Sequence, residues 1–161
     1  MLLACYLLAR AVTGHASVPF PAGYRHWVYV HSLLVGPSDA SFGKRPCEKP
    51  CTGGIFHFYA NEKAMEGYRS GKFPDGSVLA DELLELRGQA NGVATEGPRH
   101  GVGVMVKDGL KYGATGGWGF ESFAGDDETH GILTAGERAK CFQCHQSRRD
   151  HDFVFTEFHD R

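Results

Sequence analysis

The sequence predicts an α+β domain, mainly an antiparallel β-sheet with flanking helices. Three observations carry that expectation. The chain holds 22 glycines in 161 residues, about twice the usual share, and glycine at that density marks turns and close backbone approaches rather than helix interiors. Several short runs alternate apolar with polar residues or are rich in aromatic and β-branched types, as strands are. Only two stretches, residues 61–69 and 135–147, read as helix without a strand alternative.

In chain order, residues 18–23 form a Pro/Gly entry loop. Residues 24–31 (Tyr-Arg-His-Trp-Val-Tyr-Val-His) alternate as a strand, with Trp27 a core candidate. Residues 37–54 are loop-like and end in Gly53-Gly54, and residues 55–59 (Ile-Phe-His-Phe-Tyr) are strongly β-prone. Asn61 can cap a helix running to about Arg69, with Ala64, Met65 and Tyr68 on one face. Phe73-Pro74-Asp75-Gly76 is a turn. Residues 78–87 fit either a strand or a short helix. Residues 101–107 and 116–123 read as strands, 126–134 as a polar loop, and 152–158 as a closing strand.

Composition narrows the function. With 17 basic and 19 acidic residues the net charge is -2, which gives no electrostatic case for nucleic acid. Residues 1–16 read as a secretory segment, from the apolar run Leu2 to Leu8 and the small-x-small pattern Gly14-His15-Ala16, with Ser17 as the expected mature start. The segment has no basic region, which a start codon placed too far downstream explains; the alternative is a buried N-terminal helix. The expectation is a periplasmic or secreted protein, membrane-anchored if the true N-terminus is longer, with residues 17–161 as one domain. No other run approaches the ~20 apolar residues of a membrane span. With Cys5 set aside, the cysteines form two close pairs, Cys47/Cys51 and Cys141/Cys144.

The second pair sits in Cys141-Phe142-Gln143-Cys144-His145, on the predicted C-terminal helix. Three chemistries compete for it. In a c-type haem site both thiols add across the haem vinyl groups and the adjacent histidine reaches the iron. A dithiol redox site should open a helix after a strand, whereas here a polar loop precedes, and the histidine would have no role. A zinc site needs two more ligands, for which Cys47 and Cys51 are the available pair. The five-residue order and the expected export favour one covalently attached haem c, with His145 as the axial ligand. A plain disulfide across this spacing ranks last. No methionine follows His145, and Met65 and Met105 read as helix-core and strand residues. The expected iron is therefore five-coordinate, a gas-binding or catalytic arrangement rather than a simple electron wire.

The segment from the motif through Asp152-Phe153-Val154-Phe155-Thr156-Glu157-Phe158 resembles the cytochrome P-460 family, which includes cytochrome c′-beta. So do residues 24–28, the run Gly71-Lys72-Phe73-Pro74-Asp75-Gly76-Ser77-Val78, Val106-Lys107-Asp108 and Gly117-Trp118. These landmarks occur in family order across residues 21–158. The resemblance implies an exported, β-rich, often homodimeric monohaem protein. Family members that oxidise hydroxylamine cross-link a lysine to the haem edge, directly before a Glu-Leu pair. In this chain Asp81 precedes Glu82-Leu83, and a carboxylate cannot repeat that amine chemistry. The resemblance therefore points to the non-cross-linked branch, which binds NO beneath a phenylalanine cap.

Phe56 and Phe58 are the candidates for that cap. Residues two apart in a strand share a face, so His57 faces the haem only if the phenylalanines do not. Asp81, Asp108 and Glu121 are candidate proton acceptors beside the pocket; a turn aspartate and a solvated strand glutamate are the plain alternatives for the last two. Cys47 and Cys51 read as a loop disulfide, with a metal pair as the alternative. Arg148 and Arg149 fit a haem propionate or a solvated turn equally well. His26, His31, His100, His130, His151 and His159 show no metal-ligand spacing. The sequence thus points to a haem protein that binds NO or another small nitrogenous ligand, or relays electrons to a redox-protein partner. An oxidoreductase acting on hydroxylamine or a peroxide is the second expectation, and a haem-free zinc or dithiol domain the third.

Overall fold

A computed structural model describes residues 18–42, 47, 49, 51–88 and 91–159. The expected secretory segment, Cys5 and Ser17 lie outside the described residues.

Five antiparallel strands form one meander, β1 (Val28–Val35), β2 (Cys51–Ala60), β3 (Val78–Gly88), β4 (Ala94–Lys107) and β5 (Trp118–Ala124), in the spatial order of the chain. Two helices flank it, α1 (Glu62–Ser70) and α2 (Ala135–His145). The α+β expectation holds, as do both helices.

Local chemistry explains the elements. The Asn61 side chain accepts the backbone N–H of Ala64 at the start of α1, and Gly71 ends the helix at φ 78°, a conformation that glycine adopts without strain. Its buried face carries Ala64 and Met65. Thr134 opens α2 through a capping box, in which its side chain receives the Glu137 N–H while the Glu137 carboxylate receives the Thr134 N–H. Residues 78–87, ambiguous by periodicity, become strand because they pair on both sides, with β2 and with β4.

Four segments differ from the sequence reading, one of them β4, which begins at Ala94, seven residues before the run 101–107. Residues 24–26 form a 3-10 turn, and the strand begins at Val28, leaving Trp27 only partly buried. The second strand begins at Cys51, four residues earlier than its aromatic run. Residues 152–158 are not a strand. Asp152 and Phe153 take positive φ, 51° and 67°, which breaks the extended path. The segment beyond packs across the core end through buried Val154 and partly buried Phe158.

Register sorts the sheet into two faces, since side chains alternate along each strand. One face carries the cross-strand rows Phe56–Leu83–Gly101–Ala124, Phe58–Asp81–Gly103–Ser122 and Ala60–Leu79–Met105–Phe120. It meets α1, α2 and the C-terminal segment. The other face carries His57–Glu82–Val102–Phe123 and Tyr59–Ala80–Val104–Glu121. The N-terminal segment covers it with Val18, Phe20, Tyr24 and Trp27.

Candidate functional site

A cavity of about 670 Å³ opens on the first face. Phe56, Asp81, Leu83 and Gly103 line its sheet wall, and Leu133 and Glu137 belong to its opposite wall at the start of α2. Cys141 and Cys144 follow Glu137 by four and seven residues, so they fall on the same side of the helix. Cys141 is partly buried against the core and Cys144 is exposed; both are free thiols. Burial pushes the Cys141 thiol above its ordinary range, and the charge of Asp81 adds to that rise.

No residue of α2 is fully buried. A helix docked on a finished core would bury a stripe of apolar side chains. Here α2 touches the core through partly buried Cys141 and Phe142 and reaches the cavity through Glu137; the cavity is mostly apolar and carries few polar groups, as cofactor sites do.

His145 closes α2. Its Nδ1–H donates to the Phe153 carbonyl oxygen at 2.6 Å, which fixes the tautomer and leaves Nε2 without a proton. Burial also pulls the imidazole below its ordinary pKa range, against the smaller opposing effect of the Phe153 carbonyl, so the ring is neutral at pH 7, the form that binds metals. The ring lies 5.2 Å from that of Phe120 and 4.9 Å from that of Phe155, centroid to centroid.

The carbonyl that orients His145 sits in a strained turn. Phe153 has φ 67°, an uncommon conformation for a bulky residue. Asp152 holds it in place. Its carboxylate accepts the Phe73 N–H at 2.8 Å and the Lys107 ammonium at 2.7 Å, and its carbonyl accepts the Trp118 indole N–H at 2.8 Å. Lys107 also donates to the Gly116 carbonyl. Sequence reasoning missed Lys107 and Asp152 because their partners lie far away in the chain. The only signal was their presence in the family-like segments.

The other candidates divide. Phe56 lines the cavity, and Phe58 lies beside it on the same face, their rings 5.8 Å apart. His57 points to the opposite face, where Ser32 Oγ meets its Nδ1 at 2.7 Å and Glu96 meets its Nε2 at 2.6 Å. Asp108 accepts the N–H groups of Leu110 and Lys111 in the turn after β4, the plain role of a turn aspartate. Glu121 is not a solvated strand residue. It is buried, pairs with Arg138 of α2 and accepts the Leu133 N–H at 2.9 Å, so it anchors the segment leading into the helix. Arg148 faces Glu157 at 3.6 Å and lies over the Phe155 ring. Cys47 and Cys51 form a disulfide, close to the buried Glu85.

His100 also lines the cavity, but its nitrogens face the Phe42 carbonyl at 3.1 Å and Glu85 at 3.4 Å. Met65 is buried in the core, and Met105 packs against the same cluster. Neither methionine is among the residues that line the cavity.

These features fit a haem: an apolar cavity at the start of an under-packed helix, two free thiols on the helix side that carries Glu137, though outside the cavity lining itself, and a neutral imidazole with one nitrogen unprotonated. Among curated proteins no sequence matches the chain. The sequence profile described as Cytochrome P460 matches residues 21–156, most of the chain, and that span contains every element of the sheet, both helices and the motif. Membership implies a haem cofactor and relates the protein to nitric oxide and hydroxylamine chemistry. The chain belongs to the cytochrome P460 family.

Proposed function

We infer that this chain is an exported monohaem c-type protein that binds NO or a related small nitrogenous ligand. Cys141 and Cys144 are the residues that would hold the haem, through thioether bonds, and His145 would be its axial ligand through Nε2. The haem, when bound, supplies an iron that takes up a diatomic or small nitrogenous ligand and can pass an electron. The observation that carries the reading is the His145 Nδ1–H bond to Phe153, which commits the imidazole to one free nitrogen beside two unpaired thiols.

The rest of the chain supports an open, crowded ligand side. Phe56 and Leu83 bring apolar bulk to the cavity wall, and such bulk restricts the site to a small ligand. The two nitrogens of His100 are engaged elsewhere. Asp81 stands in the cavity where the family's hydroxylamine oxidisers carry a lysine. Its carboxyl cannot form that cross-link, so ligand binding or electron relay is the preferred activity over hydroxylamine oxidation. The Cys47–Cys51 disulfide agrees with an oxidising compartment.

The test is production in a host with c-type haem maturation, followed by denaturing electrophoresis with haem staining. The wild type should keep its haem through denaturation. The double variant Cys141→Ser/Cys144→Ser should lose it, and His145→Ala should keep the attachment while changing the iron's spectrum. A wild-type band without haem stain would contradict the reading.

A further inference from the structure

The inference rests on the proposed function, since it concerns a ligand held in the same cavity. Asp81 occupies the middle of that cavity's sheet wall, between Phe58 and Gly103. Phe58 brings no hydrogen-bond donor. Gly103 makes room for the carboxyl: a Cβ there would lie 2.4 Å from Asp81 Oδ2, so any side chain at 103 would displace it. Among the described residues no cation pairs with Asp81; its only bond is from the backbone at Gly103.

The other inward carboxylates of the sheet are treated differently. Glu82 is paired with Arg25 and lies 4.0 Å from Arg99. Glu85 is bonded to Arg87 at 3.0 Å and faces His100. Glu121 is bonded to Arg138. A carboxylate set among apolar walls without a cation is unfavourable, and holding the proton is the way out. The titratable groups around Asp81 do not supply a cation. Cys141, Cys144 and Glu137 come from α2, and none of these side chains can carry a positive charge. His100 comes from β4 and is turned to Phe42 and Glu85. His31, across from Phe58 on β1, is held below its ordinary range by burial, which disfavours its charged form. β5 contributes Ser122.

We propose that Asp81 is the acid of this cavity, donating its carboxylic O–H to a small hydrogen-bond-accepting anion or lone-pair ligand held there. When the acid ionises, the donor is lost and its charge repels an anion, so anion binding becomes coupled to one proton. Burial pushes this carboxyl up to about 6, which puts the change within reach of physiological pH.

The test uses the haem-loaded ferric protein and fluoride, a small anion that accepts hydrogen bonds, titrated spectroscopically between about pH 4.5 and 7.5, with NO binding to the ferrous protein as a neutral reference. Wild-type fluoride affinity should hold steady at the acid end and fall toward tenfold per pH unit above about pH 6. In Asp81→Asn, whose amide still donates but does not titrate, the profile should be flat. The wild type at about pH 5 should also show an infrared carbonyl band of a protonated carboxylic acid that Asp81→Asn lacks, a difference that is independent of ligand binding. Equal slopes in wild type and variant, or no acid band, overturn the proposal while leaving the haem reading intact. A protein that binds neither fluoride nor NO overturns both.

Discussion

The two faces of the sheet solve burial in opposite ways. The N-terminal face is closed by protein. Val102 is fully buried there, Ala80 and Val104 are nearly so, and the aromatic rings of Phe20, Tyr24 and Phe123 pack edge to face. Of its inward charges, Glu82 is matched by Arg25, with Arg99 behind it, and Glu121, on the edge strand, by Arg138 of α2. Burial of Tyr24 and its bond to Glu82 push the phenol up to about 12, so it stays neutral. The helix-covered face is finished only where α1 and the C-terminal segment lie. Beside α2 it keeps a cavity, two glycines at 101 and 103, and Asp81, which has no cation partner among the described residues. An unfinished face next to two free thiols and an oriented imidazole indicates that something besides protein completes it.

Breaking each face should therefore cost different properties. The largest effect is expected from the motif: Cys141→Ser/Cys144→Ser should abolish covalent haem, read by haem stain after denaturation, while the N-terminal face stays intact. Next comes Glu82→Ala, which removes the buried carboxylate and leaves Arg25 and Arg99 without it. Stability should fall by roughly 3 kcal/mol in urea unfolding, with haem still attached. If that variant lost haem as readily as the motif variant, the two faces would not be independent.

Asp81 gives a pH signature of known sign. Its folded pKa is raised by burial to about 6, so the folded state holds the proton more tightly than the unfolded chain does. Its contribution is full below about pH 4 and is lost as pH rises through about 6, a fall of up to about 3 kcal/mol. Urea midpoints across that range should show the fall in wild type and a flatter curve in Asp81→Asn. The smallest effect is Asn61→Ala, which removes the cap of α1 and should cost about 1 kcal/mol with no change in the haem spectrum.

Part of this arrangement is legible in local sequence. Strand alternation and the Asn61 signal are local, and they located most of the sheet and α1. The motif is local too: its five residues carry both thiols and the imidazole in one short window. What stayed hidden depends on register. Whether Phe56 or His57 faces the cavity is decided by pairing with β3, not by the run 55–59 itself. Glu121 looks like a solvated strand residue until Arg138 and the Leu133 N–H reach it from 12 or more residues away. The segment 152–158 has strand composition, but two positive φ angles and the bonds to Asp152 from Phe73 and Lys107 turn it into the clamp on His145. No window of local sequence contains those partners.

The most direct measurement of the central claim is a visible spectrum of the matured protein, ferric, then dithionite-reduced, then exposed to NO. The account predicts an ordinary high-spin c-type spectrum that shifts on NO, as expected for an open iron with one histidine ligand and no cross-link. A strongly red-shifted ferrous Soret band would mean a cross-linked haem and revive hydroxylamine oxidation, and a colourless protein would contradict the haem assignment outright.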